Sequence, residues 1–173
     1  MAGDIRQYLE KLKNAEPLQR FGALASLREA LESGQDIASA ESAIAGALSD
    51  KDQDVREKAA RLLVYFYGRR KEWKKIDALL AHGNANVREH ALIALEDFAG
   101  NFEPASDTPS LVKALDDQSF DVRAGAVSLF AKVAEKGIDV SFAIAGLRRA
   151  AIYGDEKVKE KAEKAIRISG MKR

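Results

Sequence analysis

The sequence has no cysteine. Disulfides, thiolate metal sites and a cysteine nucleophile are therefore excluded. It has only two histidines, His82 and His90, and no His-Glu dipeptide. Patterns for a zinc protease helix, a phosphate-binding loop or a nucleophile elbow are also missing. The net charge of +1 gives no one-signed field to attract nucleic acid or an anionic membrane. No apolar run reaches the ~18 residues of a membrane span, and the start "MAGDIRQYLEKLKN" carries charge too early for a signal peptide. The expected location is the cytoplasm. What remains is 46% apolar and 32% charged residues over 173 positions, enough for one folded domain with a sizeable core.

Within that composition one phrase recurs. "DVREKAARLL" starts at Asp54, "NVREHALIAL" at Asn86 and "DVRAGAVSLF" at Asp121. Aligned on the basic residue, the series is Arg20, Arg56, Arg88, Arg123 and Lys159, spaced by 36, 32, 35 and 36 residues. A period of this size marks a stacked repeat protein. One residue before the basic position stand Gln19, Val55, Val87, Val122 and Val158. Three after it stand Ala23, Ala59, Ala91, Ala126 and Ala162, and seven after it Leu27, Leu63, Leu95, Phe130 and Ile166. These offsets share one stripe of an α-helix, here called helix B. Upstream, Leu12, Leu48, Leu80, Leu115 and Ala151 follow Tyr8, Ile44, Ile76, Leu111 and Leu147 by four residues, which marks a helix A. Neither stripe can be buried alone, so neighbouring hairpins must stack.

Punctuation supports this reading. Gly34, Gly68, Gly100 and Gly137 are expected as left-handed caps of the B helices. Thr108-Pro109 is expected to open a helix, and residues 99–110 to form a loop. The charged first A and last B helices suit terminal caps of a complete short array. The expected class is all-α, an α-α superhelix of about five hairpins in a single domain spanning 1–173. The units are approximately 4–34, 36–68, 71–100, 107–137 and 139–170. Helices packed ~8–10 Å apart would give a curved rod of roughly 40–50 Å.

The pattern Leu-x-Asp-x-x-x-x-Val-Arg-x-x-Ala-x-x-x-Leu resembles the HEAT repeat, particularly the short type of phycobilisome-lyase-like proteins. Leu48, Asp50, Val55, Arg56, Ala59 and Leu63 carry it once, and Leu115, Asp117, Val122, Arg123, Ala126 and Phe130 again. The resemblance implies a hydrogen-bonded structural ladder between repeats, carried here by Asp50, Asp117, Arg56, Arg88 and Arg123. His82 and Tyr153 stand at the Asp position of units three and five, where the ladder should break. It also implies that the fold serves as a binding scaffold. HEAT-like deoxyhypusine hydroxylases bind iron through His-Glu pairs that this chain lacks. Tetratricopeptide and ankyrin patterns fit less well.

Two surfaces compete as binding sites. Opposite the core stripe, at +1, +5, +8 and +12, runs a column expected on the concave side, ending at Met171. Its partner-binding candidates are Arg28, Glu57, Arg61, Val64, Glu89, Ile93, Glu96 and Ser128. The whole column holds four basic and six acidic residues, among Phe21, Val64 and Ile93. Such a mixture suits a protein or peptide partner and argues against the basic groove of HEAT-like DNA glycosylases. The second surface is the loop 67–75, with Arg69, Arg70, Lys71, Lys74 and Lys75 near Tyr67 and Trp73. It could hold phosphate or nucleic acid, but a solvated turn with Trp73 packed inward explains it as well. The histidines are expected to be structural. The favoured expectation is a non-enzymatic, monomeric protein-binding scaffold without cofactor or metal and without membrane contact. The alternatives are a nucleic-acid or phosphate binder and an accessory subunit of a lyase.

Overall fold

The computed structural model describes residues 4–170. Eleven α-helices and four short 3-10 turns occur among the described residues, and no strand. The helices alternate between two layers. The A layer holds α1 (Ile5–Leu12), α3 (Glu41–Gly46), α5 (Trp73–Leu80), α8 (Ser110–Ala114) and α10 (Ile144–Tyr153). The B layer holds α2 (Pro17–Glu32), α4 (Gln53–Arg70), α6 (Ala85–Leu95), α9 (Phe120–Glu135) and α11 (Glu156–Gly170). Each A helix packs on the B helix that follows it, and each B helix packs on the next B helix. Successive A helices touch less closely than successive B helices.

Three of the B helices, α4, α6 and α11, start at a side-chain cap. Asp52 accepts from the Val55 N–H at 3.1 Å, and Asp155 from the Val158 N–H at 2.9 Å. Asn84 caps α6 through the Asn86 N–H. Each cap satisfies a backbone donor that the first helical turn leaves free. The valine then enters the core: Val55, Val87 and Val122 are fully buried. The alanine column is buried in every B helix, and Leu27, Leu63, Leu95 and Phe130 close the stripe below it. From the A layer come Ile44, Ile76, Leu111 and Leu147. The terminal pairs are wetter: Tyr8, Leu12 and Ile166 are only half-buried.

The buried stripe is broader than the repeat alone predicts. Leu24, Ala60, Leu92 and Val127, four residues past the basic position, are also inaccessible. An interior B helix touches its own A helix and two B neighbours, so three sides are covered. Val64 lies one turn beyond Ala60 and is buried at 0% exposure. Its expected place on an open face is therefore corrected: it is core.

The punctuation is also corrected in part. Gly34 and Gly137 take the left-handed conformation, each with φ 88°. Gly68 does not. It lies inside α4, and a Cβ there would meet the Phe98 ring at 2.7 Å, so glycine is needed for close approach. The left-handed cap of α4 is Lys71, with φ 56°. Gly100 is not left-handed either. Residues 99–110 are not a plain loop: Pro104–Asp107 forms a helical turn, α7, and Phe102 and Pro104 are buried. Thr108 precedes α8 by two residues. The helix is capped from outside by Asp77 of α5, which accepts from the Ser110 N–H at 2.7 Å and its hydroxyl at 3.0 Å.

Candidate protein-binding groove

The arginine that opens each of the first four B helices has a structural job. Arg20 Nε and Nη2 both lie 2.7 Å from the Asp50 carboxylate. Arg88 repeats this with Asp117 at 2.8 and 2.7 Å. These bidentate pairs tie one B helix to the turn of the next pair. The Arg20 guanidinium, opposed by burial, holds the Asp50 carboxyl below its usual range. Burial pushes the Asp117 carboxyl up, but hydrogen bonds from Arg88 and the Ser119 N–H together hold it low. Arg56 and Arg123 instead bond within their own turns, to the Asp50 and Asp117 carbonyls at 2.7 Å each. They reach no aspartate, because His82 and Tyr153 stand where a partner would be. Arg20 joins the ladder although the preceding Gln19 breaks the valine column; the column of basic residues is its signal in the sequence.

The open side of the B layer carries the other candidates. Where α2, α4 and α6 run side by side, a hollow of about 470 Å³ forms. Among its walls are Arg28, Arg61, Ile93 and Glu96, four of the sequence candidates. Arg61 is exposed; it acts electrostatically on Glu57 and Glu89 but forms no hydrogen bond or salt bridge with another side chain among the described residues. Ile93, 39% exposed, faces the same hollow from α6. Arg28 is committed: its guanidinium lies 3.0 Å from the centre of the Tyr65 ring and 2.6 Å from Glu32. The Tyr65 hydroxyl in turn donates to Asp97. Burial and that acceptor raise the Tyr65 pKa, so the phenol stays a donor. Glu96 is paired with Lys132.

Tyr65, Lys58 and Asp97 line the groove without having been singled out in the sequence. Lys58 and Tyr65 are three before and four after Arg61, its neighbours on a helical surface. The remaining candidates do not join the hollow. Glu57 is held by Gln53 at 2.9 Å, Asn86 at 3.0 Å and His90 Nε2 at 3.0 Å. Burial opposes ionisation of Glu57, but these donors outweigh it and its pKa falls. The other His90 nitrogen is 3.0 Å from the Asn86 carbonyl, so this buried ring is a brace between α4 and α6. Glu89 is half-buried, which pushes its pKa up. Ser128 accepts from Lys161 at 2.9 Å. Phe21 is half-buried beneath Lys58. Met171 lies outside the described residues.

The basic segment differs from a loop of free cations. Arg69 and Arg70 are the last residues of α4, and Lys74 and Lys75 already belong to α5. Arg69 donates to the Leu31 carbonyl. Arg70 is 2.6 Å from Glu72, and Lys75 is 2.7 Å from Glu41 and 2.8 Å from Glu72. Trp73 packs against Phe98 and Phe102, so its face is spent on the fold. Lys71 and Lys74 remain exposed. Among the described residues no group of three or more His, Asp or Glu is placed to hold a metal ion. No described helix is long and apolar enough to cross a membrane.

Solved structures share this architecture. An engineered protein aligns with a TM-score of 0.64 at 21% identity, over 96% of this chain and 81% of that one. A designed armadillo repeat protein in complex with the peptide (KR)4 aligns at 0.62 and 19%, over 95% and 81%. The complex of CpcE and CpcF of phycocyanin lyase from Nostoc sp. PCC7120 aligns at 0.65 and 18%, over 98% and 66%. At these identities the likeness is one of fold. No curated protein matches the sequence. The profile of HEAT repeats matches residues 40–131, more than half of the chain. The chain belongs to the HEAT repeat family.

Proposed function

We propose that this protein is a non-enzymatic scaffold that holds a peptide segment of another protein in the groove between α2, α4 and α6. One observation carries the reading. Arg61, without a salt bridge among the described residues, shares a hollow with the exposed Ile93, while Arg28 is paired with Glu32 beside them. An unpaired guanidinium offers two parallel donors to a carboxylate, and the isoleucine beside it offers an apolar anchor. Glu96 and Asp97 at the rim favour a basic residue further along the same peptide. The designed armadillo protein bound to (KR)4 has the same general fold, which supports a peptide as occupant. We further read residues 1–173 as one domain of five units, monomeric and cytoplasmic. The basic segment is the weaker site, because Arg69, Arg70 and Lys75 are already engaged.

The test starts from peptides selected by display against the whole chain. Arg61→Glu with Ile93→Asp should leave the melting temperature nearly unchanged, since neither residue belongs to the core. Affinity for the selected peptides should fall by about 30-fold or more, roughly 2 kcal/mol. Lys71→Glu with Lys74→Glu should leave it intact. The reverse pattern would move the site to the basic segment.

A further inference from the structure

The arginines that open the B helices share one geometry. Nη1 of each donates to the turn just before the helix: Arg20 to Asn14 and Ala15, Arg56 to Asp50, Arg88 to His82 and Gly83, and Arg123 to Asp117 and Gln118. That bond fixes the guanidinium plane and leaves the Nε and Nη2 edge for another acceptor. On Arg20 and Arg88 the edge holds the aspartate of the following turn. On Arg56 it is closed, for Nε is buried without a hydrogen-bond partner. Arg123 differs from all three. Among the described residues its hydrogen bonds come from Nη1 alone, and Tyr153, at the place of the missing aspartate, is turned to solvent at 82% exposure.

Arg123 also lines a hollow of about 300 Å³ between the fourth and fifth helix pairs. Leu115, Phe120, Ala124, Tyr153 and Val158 form most of its apolar wall. Phe120 is 44% exposed, with its ring centre 5.7 Å from the Arg123 guanidinium carbon. The second cation at the hollow, Arg149, is already spent in a bidentate pair with Asp116 at 2.9 and 2.6 Å. Arg123 is thus a held arginine fork, unused on one edge, in an apolar and aromatic setting.

We propose that this hollow is a second recognition site, for an aspartate or glutamate side chain of a peptide that carries an apolar or aromatic residue next to it. The peptide carboxylate makes on Arg123 the bidentate pair that Asp50 and Asp117 make within the chain. The neighbouring apolar side chain covers Phe120, Leu115 and Val158. The site shares no lining residue with the groove between α2, α4 and α6 and does not depend on it.

The test uses the whole, isotope-labelled chain and the probe N-acetyl-aspartyl-phenylalaninamide. Its asparaginyl counterpart and inorganic phosphate serve as comparisons at equal ionic strength. The aspartyl probe should shift the Arg123 Nε–H resonance and leave those of Arg20 and Arg88 in place, since their edges are occupied. The asparaginyl probe should bind at least about tenfold more weakly, because it brings no charge to the fork. Arg123→Lys keeps the charge, loses the fork and should weaken binding similarly. Phe120→Ala, at a half-exposed position, should weaken it without loss of folding. An unmoved Arg123 resonance would overturn the proposal. So would equal response to the asparaginyl probe or to phosphate, or undiminished binding by Arg123→Lys or Phe120→Ala.

Discussion

At each B-helix start an arginine is anchored by the turn before it, and the residue six positions before the next basic residue decides what the free edge meets. Asp50 and Asp117 complete a pair across helices. His82 occupies the same place and, like Asp50, accepts the backbone N–H two residues on. It offers Arg56 no carboxylate, and the Arg56 Nε is left buried and unsatisfied. A buried donor without a partner costs about 1–3 kcal/mol. His82→Asp should therefore stabilise the fold by roughly 1–2 kcal/mol, read as a higher midpoint in chemical denaturation. A lower midpoint would show that His82 contributes more than its alignment suggests. The broken rungs at His82 and Tyr153 were legible in the sequence, because the family pattern names the residue that should stand there. The place of Tyr65 in the wall of the groove was not. It depends on Arg28 reaching across from α2, a contact between residues 37 positions apart.

Among elements, the helix stripes were the most readable feature, since burial of Val, Ala and Leu at −1, +3 and +7 follows directly from helical period. Less readable was the fourth buried column, from Leu24 to Val127, and with it Val64. It exists because B helices cover one another, which a single-helix pattern does not encode. Helix ends show the same limit. Gly68 looks like a cap from its place after an apolar stripe, yet α4 runs on for two residues to Arg70, and Phe98 packs over that glycine. The two uses of glycine can be separated by measurement. Gly68→Ala puts a Cβ against the Phe98 ring and should destabilise by about 1–3 kcal/mol. Gly22→Ala, in α2 with nothing within 4 Å of the added Cβ, should stabilise by roughly 0.5–1 kcal/mol. Thermal melts of the two variants should move in opposite directions. A Gly68→Ala melt at or above that of the unchanged chain would mean that the close approach of Phe98 to α4 is not a constraint.

For the whole molecule, the B helices form a layer that mixes charges of both signs, some of them paired, as in Arg28 with Glu32, Glu96 with Lys132 and Glu135 with Lys164. Pairing of this kind leaves little net field and suits recognition by shape and a few directed bonds rather than by bulk charge. Against that background Arg61 and Ile93 stand out, and the central claim is that they form the middle of a peptide site. The most direct measurement is chemical-shift mapping of the labelled chain during titration with a display-selected peptide. The largest changes should fall at Arg61 Nε–H, at the Ile93 methyls and at Tyr65 and Ala94 around them, with Lys71 and Lys74 unaffected. Changes confined to Lys71–Lys75, or to the exposed faces of α1, α3 and α5, would contradict it.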